Sequence, residues 1–186
     1  MRDRTRAREL AAEYAQKGDP TGWFEVLYKE SEEGKSIVPW ADRGANPGIV
    51  EFWKAHPQAA EGKNALVIAS GLGDDAEQLA AWGFATTAFD ISDTAIRTAR
   101  KRFPQSKVNY RVADLFQPPA EWEQKFDFVF EANTVQALPV KLRTQAIQKI
   151  AVFVRPGGKL LAMVRGRVEY EALGGAALAA DPRGNE

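Results

Sequence analysis

The feature that most constrains what this chain can fold into is the stretch from Ala65 to Asp90, ALVIASGLGDDAEQLAAWGFATTAFD. It runs from an apolar segment through a glycine turn into a helix-like segment. A second apolar segment comes next and ends in a carboxylate. Strand, turn, helix and strand in that order make the first half of a doubly wound α/β sheet. The turn is Gly71-Leu72-Gly73, and Asp90 lies 19 residues after Gly71. That is close to the spacing of about 20 expected for an acid that grips a ribose. Glycines let the backbone approach a ligand with no Cβ in the way, and a carboxylate at Asp90 can accept hydrogen bonds from two adjacent hydroxyls.

The turn alone does not choose the ligand. Gly71 to Ala76 satisfies G-x-G-x-x-G/A, a pattern shared by nicotinamide, flavin and S-adenosylmethionine sites. Asp74 and Asp75 open the next helix. A pyrophosphate docks on the free N–H groups at such a helix start, and two carboxylates would repel it. S-adenosylmethionine carries no phosphate and presents an ammonium and a sulfonium instead. The plainer role of the two aspartates is to charge the helix N-terminus favourably.

Composition narrows the function classes. A chain of 186 residues makes one ordinary domain, with room for an N-terminal extension. It can bury roughly 70% of its unfolded surface. There is no cysteine and one histidine, His56, so histidine–cysteine zinc sites and a thiolate nucleophile are excluded and no metal is expected. Twenty-five basic residues balance 25 acidic ones, which gives no electrostatic footprint for nucleic acid or an anionic membrane. No apolar run is long enough for a membrane span. The arginine-rich start, MRDRTRAREL, has no signal-peptide core, so a soluble cytoplasmic protein is expected. Gly34-Lys35-Ser36 lacks the glycine of a phosphate-binding loop, because Lys29 holds that position.

Along the chain, a polar helix is expected over 4–16 and a short one over GWFEVLYKE. An irregular stretch, 31–46, precedes a helix with Asn46 as cap and Pro47 as first residue. Strands are expected near 65–69, 85–89, 107–112, 126–131 and 158–164, and helices near 74–82, 92–102 and 139–153. Ser92 is a cap and Pro139 a first helical residue. Near-continuous apolar strands between helices argue for a parallel sheet. The division expected is an N-terminal helical lid over 1–62, a ligand-binding core over 63–165 and a Gly/Ala-rich tail over 166–186.

Ligands of open α/β sheets sit outside the carboxyl ends of the strands. Asp114, at the end of the third strand, is placed to accept from an adenine amino group, with Leu115 and Phe116 against the ring. Its plainer role is that of a turn aspartate before Pro118 and Pro119. Glu131 ends the apolar fourth strand, FDFVFE, where a donor's amino group or an acceptor would approach. Asn133 and Gln136 are further candidates or loop hydrogen-bonders.

These motifs together resemble class I S-adenosylmethionine-dependent methyltransferases. The SGLGDD turn with Asp90, the ADLF turn and FDFVFE with VRPGGKLL after it span about 63–165 in the order of that class. Within it, ASGLGDD, AFDIS and WFEVLYKE with PWADRG look most like the thiopurine methyltransferase and tellurite-resistance group. The resemblance implies a Rossmann-like, mostly parallel sheet with helices on both faces. It implies that Ala69, Gly71 and Gly73 line the methionine moiety of S-adenosyl-L-methionine, with S-adenosyl-L-homocysteine as product. Asp90 would hold the ribose and Ile91 pack on the adenine. Asp114 and Leu115 would bind the adenine, Glu131 or Ala132 would lie near the methionine end, and Trp40 would close over the donor. Trp23 and Trp53 are otherwise core aromatics.

Two departures stand out. Ala69 replaces a glycine, and about 22 residues come after Val164 where the class has two more strands and a helix. The sheet is therefore expected to end at the fifth strand, whose edge would invite a homodimer. The expected activity is methyl transfer to a small-molecule acceptor, with a soft nucleophile such as a thiol favoured because no general base is evident. No catalytic residue is assigned, though Asp42, Arg43 and His56 are candidate helpers. The rival expectations are an NAD(P)-dependent oxidoreductase and an inactive donor-binding interaction module.

Overall fold

Apolar runs become strands wherever both faces can be covered. Strands β1 (Asn64–Ile68), β2 (Ala85–Asp90), β3 (Asn109–Val112), β4 (Phe126–Ala132) and β5 (Val154–Met163) form one sheet in the order β3-β2-β1-β4-β5. Every pairing is parallel. The molecule is described by a computed structural model over residues 3–166, and the tail from residue 167 lies outside the described residues. No helix among the described residues is long and apolar enough to cross a membrane.

Helices α1 (Thr5–Gln16), α2 (Trp23–Glu32), α3 (Pro47–Ala55), α4 (Asp74–Ala81), α5 (Asp93–Arg102), α6 (Thr134–Ala137) and α7 (Val140–Phe153) cover the sheet. On one face Val67, Phe128 and Phe130 pack with Ile49, Leu79 and Ile96. On the other, Leu66, Ile68 and Val129 pack with Phe89, Trp122, Ile150 and Phe153. Each such side chain taken out of water contributes about 1.5–3 kcal/mol. Ile49 sits in the first cluster, so α3 packs with the sheet although it precedes residue 63. Helices α1 and α2 form a satellite cluster, in which Leu10, Trp23, Leu27 and Tyr28 reach Ala95 and Leu72.

Local chemistry fixes the helix starts. Asn46 accepts from Gly48 N–H ahead of Pro47, and Ser92 accepts from Ala95 N–H. Helix α5 begins with Asp93 and ends with Arg100, Lys101 and Arg102, which matches its dipole.

Three boundaries differ from expectation. Strand β3 starts at Asn109 because Ser106 Oγ takes the Val108 N–H into a turn. Strand β5 starts earlier, at Val154, and bulges before Lys159 pairs with Phe128. In that bulge Gly158 lies so close to the Phe126 carbonyl that a Cβ would stand 2.9 Å from it. Helix α6 is an addition to the expected elements, and Pro139 is the cap of α7 rather than its first residue.

Candidate functional site

The strand order reverses at β1, which lies between β2 and β4, and a crevice opens where strand order reverses in such sheets. Here a cavity of about 270 Å³ lies at the carboxyl ends of these strands and is roofed by α2 and the 39–47 loop. That is near the lower end of the range of about 300–1,000 Å³ for small-molecule sites. Trp40, Ala69, Gly71, Asp90, Ile91, Asp114, Leu115 and Ala132 all line it. Gly73 and Glu131 are not among its lining residues.

Asp90 is buried, with 4% of its surface exposed. Its two carboxylate oxygens accept from Gly71 N–H and Ser92 N–H, each at 2.9 Å. Burial pushes its pKa up to about 6, and nearby Glu25 adds to the rise, while the N–H groups oppose it. The two N–H bonds leave lone pairs on both oxygens. The glycine turn and the carboxylate at the end of β2 are thus one hydrogen-bonded unit.

Gly71 has φ +52°, and a Cβ built on it would lie 2.9 Å from Tyr28 Oη. A side chain at this position would fill the approach to the turn. Gly73 has φ +93°, and its missing Cβ makes room for Tyr110 rather than for the cavity. Ala69 holds φ +47°, a left-handed conformation that costs a non-glycine residue about 1 kcal/mol.

The two aspartates at the start of α4 have separate fates. Asp74 forms a two-pronged ion pair with Arg102, at 2.7 and 2.8 Å. Arg102 also donates to the Leu72 carbonyl, so the negative charge at this corner is partly neutralised. The expected repulsion of a phosphate therefore rests on Asp75 alone. Asp75 accepts from Asn46 N–H at 2.6 Å and ties the roof loop to α4. Burial and the neighbouring Asp74 push its pKa up to about 6, against the pull of the Asn46 N–H.

Glu131 is 1% exposed, and its carboxylate turns to the start of α6. It accepts from Thr134 N–H at 3.0 Å and from Val135 N–H at 3.4 Å. Burial raises its pKa. Asn133, in a left-handed conformation with φ +62°, provides no side-chain cap for α6, and Glu131 fills that role from the strand. The neighbouring Asn133 and Gln136 line the cavity, joined by a bond from Gln136 Nε2 to Asn133 Oδ1.

The N-terminal segment builds the roof. Trp40 Nε1 donates to Tyr28 Oη at 3.0 Å. Glu25, one turn before Tyr28, accepts from Ser92 Oγ, Thr94 N–H and Thr94 Oγ1 and so pins α2 to the start of α5. Burial opposes the Glu25 charge, but these bonds and Lys29 hold its pKa below the usual value. Trp23 stacks on Phe24 and Trp53 on Trp82, both as packing aromatics. Of the candidate helpers, Asp42 lines the cavity, whereas exposed His56 stacks on Phe52 at the end of α3. Arg43 lies in the roof loop with φ +55° and is not a lining residue.

Sequence reasoning missed Tyr28 and Ser70 as cavity residues. The signal for Tyr28 was its spacing of four from Phe24, which puts two aromatics of α2 on the face that roofs the cavity. Ser70 had no signal beyond its place between Ala69 and Gly71.

A family profile described as a methyltransferase domain matches residues 65–158, half of the chain. No curated protein matches. Among solved structures, one from work on the conversion of a disulfide bond into a thioacetal group during echinomycin biosynthesis is 28% identical, with a TM-score of 0.64. That match covers 76% of this chain and 59% of the other. A Haemonchus contortus phosphoethanolamine N-methyltransferase 2, solved with phosphomonomethylethanolamine and S-adenosylhomocysteine, is 26% identical with a TM-score of 0.55. That match covers 63% of this chain and 28% of the other. A Synechocystis magnesium protoporphyrin IX methyltransferase with bound S-adenosylmethionine shares the fold at 18% identity and a TM-score of 0.51. It matches over 58% of this chain and 52% of its own. The chain thus spans less than two thirds of the length of each of these structures.

Proposed function

The chain belongs to the methyltransferase domain family, and on that premise we propose that it transfers a methyl group from S-adenosylmethionine to a small soluble acceptor. The observation that carries the reading is Asp90, a buried carboxylate at the end of β2 that is hydrogen-bonded to Gly71 and lines the cavity. Lone pairs left on the Asp90 oxygens suit the two ribose hydroxyls. The open space over Gly71 suits the methionine end, with Ile91, Asp114 and Leu115 around the adenine. Ser70, whose buried hydroxyl has no partner, lines the same cavity. Asp75, beside the glycine turn, suits the ammonium.

When bound, the donor supplies an electrophilic methyl group on a sulfonium. The protein's own part is alignment and exclusion of water, which together supply up to roughly 7–11 kcal/mol in favourable cases. Trp40, Tyr28 and the 39–47 loop line the cavity from the N-terminal segment. No histidine lines it, and the buried acids beside it are held by backbone N–H groups. We therefore favour an acceptor that needs little deprotonation, a thiol above an alcohol or amine. The similarity to a protein of disulfide-to-thioacetal conversion supports sulfur chemistry. The narrower kinship with the thiopurine and tellurite-resistance group, a cytoplasmic location and the 1–62 lid division are parts of the same proposal. So is homodimerisation through β5, which a clean monomer in gel filtration at high concentration would contradict.

The test is transfer of labelled methyl from S-adenosylmethionine to a panel of thiols, amines and alcohols. Product with thiols alone supports the reading in full. Labelling of amines in preference to thiols contradicts the acceptor class. Donor binding with no transfer to any class favours a binding module.

A further inference from the structure

One polar cluster of the cavity plays no part in holding the donor. Asn133, Gln136 and Arg165 line it just beyond the ends of β4 and β5, across β1 from Asp90. Their hydrogen bonds form a chain whose direction is set at one end. A backbone N–H can only donate, so the Arg165 N–H, 2.9 Å from Gln136 Oε1, fixes that atom as the amide oxygen. The other arm of the Gln136 amide is then its NH2 group, which donates to Asn133 Oδ1 at 2.8 Å. Both amide oxygens have thus accepted a bond. What the described hydrogen bonds leave unspent is mostly hydrogen: one on Gln136 Nε2, two on Asn133 Nδ2 and those of the Arg165 guanidinium. The backbone under the cluster is fixed, because Glu131 caps α6 and Arg143 donates to the Gln136 and Leu138 carbonyls.

Charge points the same way. Arg165 is exposed, and none of the ion pairs among the described residues includes it. The lining acids Asp74, Asp75, Asp90 and Asp114 follow β1, β2 and β3, and each holds an N–H group or Arg102. Arg4 and Asp42, from the N-terminal segment, are engaged as well. The charge offered at the β4–β5 side is therefore positive.

We infer that Asn133, Gln136 and Arg165 bind a carboxylate carried by the methyl acceptor. The inference rests on the methyl-transfer reading above and adds the acceptor's charge class, a small thiol acid. An ionised carboxylate only accepts, and its two oxygens offer about four lone-pair sites to this set of donors. The fixed fork of a guanidinium can take both oxygens at once. A cationic acceptor meets the charge of Arg165 instead, and a neutral amide brings an NH2 group against other donors. The cluster thereby selects acceptors by rejecting the wrong charge as well as by binding the right one.

The test compares three thiols of similar size: 3-mercaptopropionate, its neutral isostere 3-mercaptopropanamide and the cation cysteamine. Their binding to wild type, Arg165→Gln and Arg165→Glu is followed by ligand-observed NMR, with and without S-adenosylhomocysteine. Transfer of labelled methyl to each thiol is measured in parallel. Wild type should bind the carboxylate about tenfold more tightly than the amide, and Arg165→Gln should lose that advantage. Arg165→Glu should favour cysteamine, a reversal that a loss of fold does not produce. Lys159→Gln removes an exposed cation of the same strand that does not line the cavity, and it should keep the wild-type preference. Equal binding of the three thiols, no binding of the carboxylate, or a carboxylate preference that survives Arg165→Glu would overturn the inference and leave the methyl-transfer reading intact. Arg165-dependent carboxylate binding with no transfer to any thiol would support the site and contradict the transfer reading instead.

Discussion

Strands β2 and β4 flank β1, and each carries a buried carboxylate in its last two residues, yet the two acids do opposite things. Asp90 at the end of β2 lines the cavity and grips the glycine turn. Glu131 at the end of β4 turns away and caps α6. The cause lies in the residues just after each strand. Beyond Asp90, Ser92 caps α5 with its own hydroxyl, so the strand carboxylate is not needed at the helix start. Beyond Glu131, Asn133 leaves α6 without a side-chain cap, and the strand carboxylate is drawn to the two free N–H groups. In this fold the acid lines the cavity where another group caps the next helix, and leaves it where none does.

Breaking the comparison at Asp90 has the largest expected effect. Asp90→Ala should weaken S-adenosylhomocysteine binding about 100-fold, since two hydrogen bonds to a charged group are lost. Calorimetry checks this, with a melting curve to confirm that the variant is folded. The second break is Glu131→Ala, which should destabilise the fold by about 1–3 kcal/mol by leaving Thr134 and Val135 N–H groups unpaired. Denaturant unfolding reads that loss, and cofactor affinity should stay within about twofold. An affinity loss at Glu131 as large as that at Asp90 would erase the distinction.

A pH series sharpens it. Asp90 and Asp75 titrate near 6 in the fold, above the ordinary aspartate value of 3.8. Between about 4 and 6 the folded protein holds more protons than the unfolded chain, so these two groups make stability fall as pH rises through that window. The ligand-free protein should therefore melt higher at pH 5 than at pH 7. Binding should go the other way, weakening about tenfold from pH 7 to pH 5 as Asp90 takes up a proton. The smallest effect is at Ala69. Ala69→Gly should relieve its left-handed backbone and stabilise the ligand-free protein by about 0.5–1 kcal/mol, measured by denaturant unfolding.

The same contrast explains what could be read from the sequence. The sheet was legible because buried parallel strands need apolar runs, as in Ala65–Ile68 and Phe128–Phe130. Asp90 was legible because a fixed spacing joins it to the glycine turn. The Asn46, Pro47 and Ser92 signals at the helix starts were legible as local chemistry. Glu131 reads as a ligand residue in the sequence because nothing in a linear reading shows that Asn133 would leave α6 uncapped. Tyr28 and Ser70 escaped as cavity residues because their places depend on contacts across the roof, such as Trp40 with Tyr28. The pairing of Asp74 with Arg102 was hidden for the same reason, since 28 residues separate them.

The most direct test of the central claim is calorimetric titration of the wild-type protein with S-adenosylhomocysteine and, in parallel, with NADH. The account predicts one site of micromolar affinity for S-adenosylhomocysteine that is lost in Asp90→Ala, and no comparable heat with NADH. A folded protein that binds NADH more tightly, or that binds S-adenosylhomocysteine equally well without Asp90, would contradict it.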